Sequence, residues 1–448
     1  MEKNRTTGSV FQNILYFSLP YMLSFFLQTL YGLADLFIVG QFNGTASITA
    51  VSIGSQVMHM LTVMIVGLAM GATVTISRAV GENRNDKAAN AIGNTVVIFL
   101  LGSAVVTGLL LLFVKPIVSI MSTPAEAVDG TVMYLTICFI GVPFITAYNI
   151  ISSMFRGLGD SKSPMYFIAV ACAANIALDY LFIGAFRMGA AGAALGTTLA
   201  QTISVIAALT TVLRQKAGLR LQKADFKPKK SVTAPILRVG FPIAIQDGFI
   251  QIAFILITVI ANRRGLNDAA AVGIVEKIIG MMFLIPSSMM SSVSALAAQN
   301  IGAAKPDRAR LTLRYAIMIS AGFGIVISIL TQFCSNNIVG IFESDTDVIR
   351  LGGQYLRSYV WDCLFAGIHF SFSGYFCACA RSGISFLHNS LSIVLVRIPA
   401  AYLASRMFAD TLFPMGLAAP LGSALSVVIC VIAYLVLLRK DRQSQAEG

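Results

Sequence analysis

Charged residues are scarce in this sequence. Asp, Glu, Lys and Arg together make up 12% of the 448 residues, whereas a soluble domain carries about 25%. Hydrophobic residues account for 56% of the chain. A surface with so little charge cannot face water over most of its area, so a soluble enzyme or a nucleic-acid-binding protein is a poor interpretation.

Residues that build disulfide frameworks, metal centres and active sites are also few. The seven cysteines are an odd number, lie mostly in apolar runs and form no CxxC pair. The three histidines show no spacing typical of metal ligands. No phosphate-binding loop or set of nucleophile, histidine and acid is present. We therefore expect no enzymatic activity, no cofactor and no metal other than a sodium ion.

Long uncharged stretches dominate the chain instead. A helix that crosses a bilayer needs about 20 mostly apolar residues. The segment between Arg5 and Asp35 holds 29 uncharged residues, and the segment between Lys87 and Lys115 holds 27. The stretch from Asp35 to Arg78 holds 42 and must fold back once, at Asn43-Gly44.

These stretches predict an all-α integral membrane protein with twelve transmembrane helices. The predicted helices lie near residues 14–38, 46–77, 90–113, 131–155, 164–184, 189–213, 236–261, 273–299, 312–334, 355–380, 386–406 and 416–438.

The distribution of Lys and Arg predicts the orientation. With the N-terminus inside the cell, 23 basic residues fall in inner segments and 6 in outer loops. We therefore expect both termini to be cytoplasmic and the protein to lie in the inner membrane of a prokaryote. The same bias accounts for the net charge of +12 without a nucleic-acid partner.

The two halves of the chain resemble each other. Ile14-Leu15 and Pro20 recur 222 residues later as Ile236-Leu237 and Pro242. This repeat predicts an N-lobe at 1–213, a basic cytoplasmic linker at 214–235 and a C-lobe at 236–448. Six helices per lobe give both lobes the same orientation, related by a parallel pseudo-two-fold axis. Such a repeat is typical of a transporter with alternating access, and a channel pore fits it less well.

Four polar residues are predicted to meet in the outer half of the N-lobe. Asp35 lies near the outer end of the first helix, and Asn175 and Asp179 share one face of the fifth. Thr197 lies eight residues into the sixth helix, and Thr198 offers an equal hydroxyl one residue later. Carboxylates within a span are costly and therefore functional candidates. Oxygen ligands of this kind suit a monovalent cation, and close carboxylates can instead carry a proton. Hydrogen bonding within the protein is the structural alternative.

Several motifs resemble the multidrug and toxic compound extrusion (MATE) family over the whole chain. They are Arg156-Gly-Leu-Gly-Asp-Ser-Lys-Ser-Pro164, the Asn175–Ile183 segment and the Met188–Ala194 segment, together with Pro20 and Gly81. The resemblance implies sodium- or proton-driven efflux of cationic amphipathic compounds. It also implies a cation site formed by an Asp that follows a helix-bending proline by 15 residues, an Asn-xxx-Asp pair and a Thr. Asp35, Asn175, Asp179 and Thr197 match that set.

Other residues are predicted to support transport. Tyr134 is either a hydrogen-bond donor to a carboxylate or an interfacial aromatic, and Pro20 is either a moving hinge or a static kink. In the C-lobe, Asp247 is a candidate counter-ion for a cationic substrate, with Gln246 beside it; a polar network is the alternative. The MATE branch with a cation site in the C-lobe carries an Asp close before an arginine in helix ten. Here Asp362 precedes Arg381 by 19 residues, so the resemblance does not imply a sodium site in the C-lobe.

The favoured function is therefore a secondary active antiporter that exports cationic amphipathic drugs or toxic compounds in exchange for sodium or protons. The alternative is a lipid-linked oligosaccharide flippase of the same wider superfamily. A flippase needs several cationic side chains for pyrophosphate. The predicted spans hold only Lys277, Arg357 and Arg397, against carboxylates at Asp35, Asp179 and Asp247, so the predicted cleft is acidic and disfavours this alternative. The expected partners are small organic cations and the lipid bilayer, with the protein acting as a monomer.

Overall fold

The computed structural model describes residues 5–214 and 221–446, and the regular structure in those ranges is helical. In chain order the α-helices are α1 (Val10–Phe42), α2 (Thr45–Gly81), α3 (Asn85–Leu112), α4 (Val114–Ile120), α5 (Ala125–Ile140), α6 (Val142–Gly157), α7 (Lys162–Asp179), α8 (Gly189–Arg214), α9 (Lys230–Asn262), α10 (Leu266–Met282), α11 (Leu284–Gly302), α12 (Pro306–Val339), α13 (Thr346–Tyr359), α14 (Asp362–Ala378), α15 (Ser382–Ser392), α16 (Ile398–Met407), α17 (Phe413–Gly416) and α18 (Ala418–Ala446).

Most of these helices can cross a membrane. Ten helical segments of the described chain are long and apolar enough, and the bent pair α5–α6 makes an eleventh. The α13–α14 pair occupies the place of the remaining predicted helix. Neither member reaches the length of a span alone, at 14 and 17 residues. The described segments therefore correspond in order to the twelve predicted helices.

The observed helices are longer than the predicted ones. Helix α12 covers Pro306–Val339, whereas the hydrophobic pattern predicts 312–334. A charged residue ends an apolar run but does not end a helix. Asp307 in the first turn of α12 is favourable there because the N-terminal end of the helix carries partial positive charge.

Three predicted helices are interrupted in the structure. Helices α5 and α6 are bent by 45° at Gly141, α10 and α11 separate at Phe283, and α13 and α14 separate at Val360-Trp361. Proline explains the first two breaks. Pro143 and Pro286 each lack a backbone N–H and crowd the carbonyl four residues earlier. The predictions of continuous helices at 131–155, 273–299 and 355–380 were wrong at these points.

Two helices contain a π-helical turn. Tyr180–Ala185 continues directly from α7 after Asp179, and Ile393–Arg397 joins α15 to α16. A π-helical turn inserts an extra residue into the helix, so the side chains on either side of it change direction relative to a regular α-helix. In both cases a charged residue lies at the edge of the π-helical turn.

The chain divides into two compact units. Unit 1 comprises Met1–Gly8, Leu15–Ala244 and Ala298–Lys305, and unit 2 comprises Ser9–Ile14, Ile245–Ala297 and Pro306–Gly448. The division falls within α1, α9 and α11, so each of these helices contributes to both units. It differs from the predicted lobes at 1–213 and 236–448, which follow the sequence repeat. Residues 215–220 of the predicted linker lie outside the described residues.

Unit 1 contains the described part of the linker. A short helical turn, Lys223–Phe226, packs against α3. The side chain of Asn94 on α3 donates to the backbone carbonyl of Asp225 at 2.9 Å and accepts from the backbone N–H of Lys229 at 2.7 Å. The linker is therefore fastened to α3 before α9 begins.

Helices α2 and α9 pack against each other in unit 1 through direct backbone contact. A β-carbon at Gly71 would collide with the carbonyl of Ile236, and one at Gly240 would collide with the carbonyl of Leu68. Each contact is possible because glycine lacks a β-carbon. Small residues allow membrane helices to approach to backbone contact, which supplies packing where no hydrophobic force from water exists.

Candidate functional site

The first element of the candidate site joins α1 to α8 in unit 1. Asp35 on α1 is 3% exposed. The hydroxyl of Thr197 on α8 donates a hydrogen bond of 3.1 Å to Asp35 Oδ2. Of the two adjacent threonines that the sequence offers, Thr197 is therefore the one that binds the carboxylate. Thr198 points instead towards Gly141 and Cys138.

The second element is a carboxylate pair. Asp179, at the end of α7, is 0% exposed. Its carboxylate and that of Asp35 are close enough to share a hydrogen when one of them is protonated. Gly196 on α8 lies against Asp179 so closely that a β-carbon would collide with Oδ1. The absence of a side chain at Gly196 thus makes room for the second carboxylate.

Asn175 completes the predicted set. It lies one turn before Asp179 on α7, is buried, and its side chain interacts with the carboxylate of Asp35. Its amide nitrogen and oxygen form no hydrogen bond of ordinary geometry. The four residues predicted from spacing alone, Asp35, Asn175, Asp179 and Thr197, therefore lie together in unit 1.

The carboxylate pair lacks partners of opposite charge. Oδ1 of Asp35 and both carboxylate oxygens of Asp179 accept no hydrogen bond, and none of the ion pairs in the described chain includes either residue. Burial of an ionised carboxylate without a partner costs several kcal/mol, on the order of 2.5–3.5 at the centre of a span. The donor set of two carboxylates, one amide and one hydroxyl fits either a monovalent cation or a proton.

A second layer of polar residues surrounds the pair. Tyr134 on α5 is buried, its ring packs against Gly54, and it lies within electrostatic range of Asp35. No hydrogen bond from Tyr134 to a carboxylate is formed among the described residues. Tyr31, which was not among the predicted site residues, interacts electrostatically with the carboxylate of Asp35. Its hydroxyl accepts a hydrogen bond of 3.5 Å from Gln201.

A simple signal could have identified the two missed residues. Tyr31 precedes Asp35 by four positions on α1, and Gln201 follows Thr197 by four positions on α8. Residues four apart share one face of a helix. Reading the same face one turn further would have added both residues to the predicted site.

Pro20 lies inside α1, which continues through it without a break. The hydroxyl of Ser24 donates to the carbonyl of Pro20 at 2.9 Å. Next to the proline, Tyr21 accepts a hydrogen bond of 2.7 Å from the buried Arg156, whose guanidinium also lies 3.8 Å from the centre of the Tyr21 ring. The N-terminal part of α1 is therefore held by α6 at the residue that follows Pro20.

The predicted substrate residues lie in unit 2. Gln246 is buried and accepts a hydrogen bond of 2.7 Å from the hydroxyl of Ser385. Asp247 is half-buried and interacts with the side chain of Gln246. Asp247 forms no ion pair within the described chain. Its carboxylate therefore has no basic partner among the described residues.

Unit 2 also contains a buried cluster of charged residues that the sequence did not predict. Arg397 lies 3.6 Å from Asp362 and donates to the hydroxyl of Tyr359. Glu276 accepts a hydrogen bond of 3.2 Å from Thr258 and lies within electrostatic range of Arg397. Arg381 is the nearest Lys or Arg after Asp362 in the sequence, but the basic partner of Asp362 is Arg397 in the following span.

Comparisons with known proteins identify what this architecture resembles. The MatE family model matches residues 20–181 and 242–403, two stretches offset by 222 residues, as in the predicted repeat. "Probable multidrug resistance protein YpnP" of Bacillus subtilis is 28% identical over 401 residues, with 89% of each chain covered. "Multidrug export protein MepA" of Staphylococcus saprophyticus is 23% identical over 97% of this chain and 95% of its own.

The fold also matches a solved structure. The structure described as "Outward-facing conformation of a multidrug resistance MATE family transporter of the MOP superfamily" aligns with a TM-score of 0.91 at 19% identity, over 98% of both chains. At this identity the likeness concerns the fold alone. It confirms the predicted all-α membrane architecture of twelve helices in two repeated halves.

Proposed function

The chain belongs to the MatE family, and on this premise we propose that it is a secondary active antiporter that exports cationic amphipathic compounds in exchange for sodium ions or protons. Members of this family are multi-pass membrane transporters and not enzymes, so the predicted absence of enzymatic activity is confirmed. The names of the bacterial relatives, which refer to multidrug resistance and export, support drug-like substrates.

The observation that carries the proposal is the carboxylate pair of Asp35 and Asp179. Two adjacent buried carboxylates repel each other when both are ionised. A bound cation or a shared proton removes that repulsion and links α1 to α7. Loss of the ion releases the link, so ion binding favours one arrangement of these helices over another.

Exchange requires that the ion and the substrate favour different states. A ligand shifts a conformational equilibrium only by the difference between its affinities for the two states. In the proposed cycle the ion stabilises the state in which Asp35 and Asp179 are held together. The substrate stabilises the opposite state, and bending of α1 at Pro20 is the proposed change between them.

Asp247 is the proposed contact for the cationic part of the substrate. A half-buried carboxylate attracts a cation more strongly than one in bulk water, because the effective dielectric constant is lower. The hydrogen bond between Ser385 and Gln246 holds the residue next to Asp247 in place.

The flippase alternative requires cationic side chains that are free to bind pyrophosphate. Arg397, buried in unit 2, is already paired with Asp362 and bonded to Tyr359. Arg357 donates its Nε–H to Ser335 at 2.7 Å. These partners favour the antiporter, and a transport assay with a lipid-linked oligosaccharide analogue distinguishes the two functions.

Purified protein in vesicles tests the proposal. A cationic dye is loaded, sodium and proton gradients are imposed separately, and efflux is measured at matched protein level. Asp35→Asn and Asp179→Asn are each expected to abolish gradient-driven efflux while the protein keeps its melting temperature. Asp410→Asn, an exposed loop carboxylate, is the matched control. Normal driven efflux by both buried-site variants would remove the carboxylate pair from the mechanism.

The proposed location is the inner membrane of a bacterium, with both termini cytoplasmic. Single cysteines at Lys227 and Asn267, both exposed, test this orientation in a variant without the partly exposed Cys334 and Cys379. A membrane-impermeant thiol reagent applied to intact cells should label position 267 and spare position 227. The reverse pattern would invert the topology.

A further inference from the structure

Two of the three histidines in the chain are in contact inside unit 2. His369 lies on α14 and His388 on α15, 3% and 0% exposed. Their ring centres are 5.4 Å apart and their planes cross at 73°. The third histidine, His59, lies on α2 in unit 1. Ionisable side chains within membrane spans are costly, which makes a buried pair of them a candidate for function.

The hydrogen bonding of the pair is incomplete. The hydroxyl of Ser373 lies 3.0 Å from Nε2 of His388. Nδ1 of His369 and Nδ1 of His388 are both buried without a hydrogen-bond partner. A histidine with a purely structural role ordinarily satisfies its buried nitrogens. A serine hydroxyl can either donate or accept, so Ser373 is compatible with either tautomer of His388 and with its protonated form.

Charged residues border the pair on one side. Arg397 lies within electrostatic range of His369. Arg397 is in turn next to Asp362 and Glu276. When all three are ionised, two negative charges face one positive charge. One additional proton in this region would balance them, and a neutral group of charges is favoured where water is excluded.

Polar residues border the pair on the other side. Ser385, three residues before His388 on α15, donates to Gln246, whose neighbour is Asp247. Asp247 also lies within electrostatic range of Cys377, which follows His369 by two turns on α14. The histidines therefore lie between the half-buried carboxylate of Asp247 and the Asp362–Arg397–Glu276 cluster.

We propose that the His369–His388 pair is a proton-binding site of unit 2, separate from the carboxylate pair of unit 1. In the conformation described here a charged imidazole would lie buried near Arg397, which disfavours protonation of either ring. Proton binding therefore favours a second arrangement of unit 2, in which the pair is hydrated or Arg397 lies closer to its carboxylates. The ligand is the proton, and its binding biases the two arrangements by its difference in affinity for them.

Nuclear magnetic resonance of the full chain in lipid nanodiscs tests proton binding directly. With His59→Gln and 15N-labelled histidine, the pair supplies the only imidazole signals. On lowering the pH from about 8 to about 5, we expect the pair to take up one proton, with both rings changing together. Rings that remain neutral throughout that range, or that titrate independently of each other, would overturn the proposal.

The single tryptophan reports the second arrangement. Trp361 lies at the break between α13 and α14, immediately before Asp362. Acidification should change Trp361 emission in the parent and in His59→Gln, and the change should be lost in His369→Gln and His388→Gln. Ser373→Ala, which keeps both rings, should shift the midpoint by about 0.5–1 pH unit. An unchanged transition in the histidine variants would show that other groups cause it and would overturn the proposal. Neither measurement involves transport, so the result is independent of the proposed antiport.

Discussion

Gly196 on α8 lies directly against the carboxylate of Asp179 on α7, in a space that a β-carbon would have to share with Oδ1. The two residues are buried in unit 1. The position of Asp179 beside Asp35 therefore depends on a residue that contributes no side chain. This dependence can be tested without altering any polar group.

Gly196→Ala should displace the Asp179 carboxylate and lower ion-driven efflux by about tenfold or more, equivalent to about 1.4 kcal/mol. Gly102→Ala on α3 is the control, because nothing lies within 4 Å of a β-carbon there. Alanine favours a helix over glycine by about 1 kcal/mol, so the control should be unchanged or slightly stabilised. Efflux and melting temperature are measured for both. Equal efflux in the two variants would contradict the tight fit at Asp179.

Thr197→Val should weaken binding of the coupling ion, because the hydrogen bond that holds Asp35 Oδ2 is lost. A hydrogen bond to a charged group contributes about 1.5–3 kcal/mol, so the half-saturating ion concentration should rise about tenfold or more. Thr198→Val is the matched control, since Thr198 does not bond to Asp35 among the described contacts. Ion-dependent dye efflux at varied ion concentration measures both. A larger effect at Thr198 would reverse the assignment of the two hydroxyls.

Asp247→Asn should raise the half-saturating concentration of cationic substrates severalfold, because the attraction between charges is removed. Coupling to the ion gradient should persist, since Asp35 and Asp179 are intact. Asp247→Glu keeps the charge and should retain most of the affinity. Efflux is compared for a cationic dye and an uncharged compound of similar size. If both compounds lose affinity equally, Asp247 acts on the fold of the pocket and not on substrate charge.

Arg264→Gln should destabilise unit 2. Arg264 pairs with Asp268 at 3.1 Å and donates to the carbonyls of Ser405, Phe408, Ala409 and Thr411. Loss of a nearly buried arginine with these partners is expected to cost about 2–4 kcal/mol. The adjacent Arg263 is exposed, so Arg263→Gln is the control. Thermal unfolding in detergent should show a lower midpoint for Arg264→Gln alone. If Arg264→Gln and Arg263→Gln unfold at the same temperature, the four carbonyls must be hydrogen-bonded by other donors in the Arg264→Gln variant.

Spacing along the chain was sufficient to predict the residues that gather in unit 1. Asp35, Asn175, Asp179 and Thr197 lie on three helices. The prediction that they meet used the order of the helices and the distance of each residue from the end of its helix. The contact with Tyr31 follows from the same periodicity. What the site residues do in transport stays a prediction, because proximity alone does not establish ion binding.

Features that depend on the approach of two helices could not be predicted in this way. The pairing of Asp362 with Arg397 joins separate spans, and no distance along the sequence encodes it. The π-helical turn after Asp179 likewise has no marker comparable to proline. Breaks next to Pro143 and Pro286 had such a marker, but the apolar runs continue through them and conceal the interruption.

The glycine contacts between α2 and α9 bear on how a duplicated gene becomes a single protein. Gly71 and Gly240 bring the beginning of the second repeat into backbone contact with the second helix of the first. A fragment that ends before α9 would lose that partner and leave a strip of bare backbone uncovered. The two repeats therefore remain recognisable in the sequence, although the first repeat packs directly against the beginning of the second.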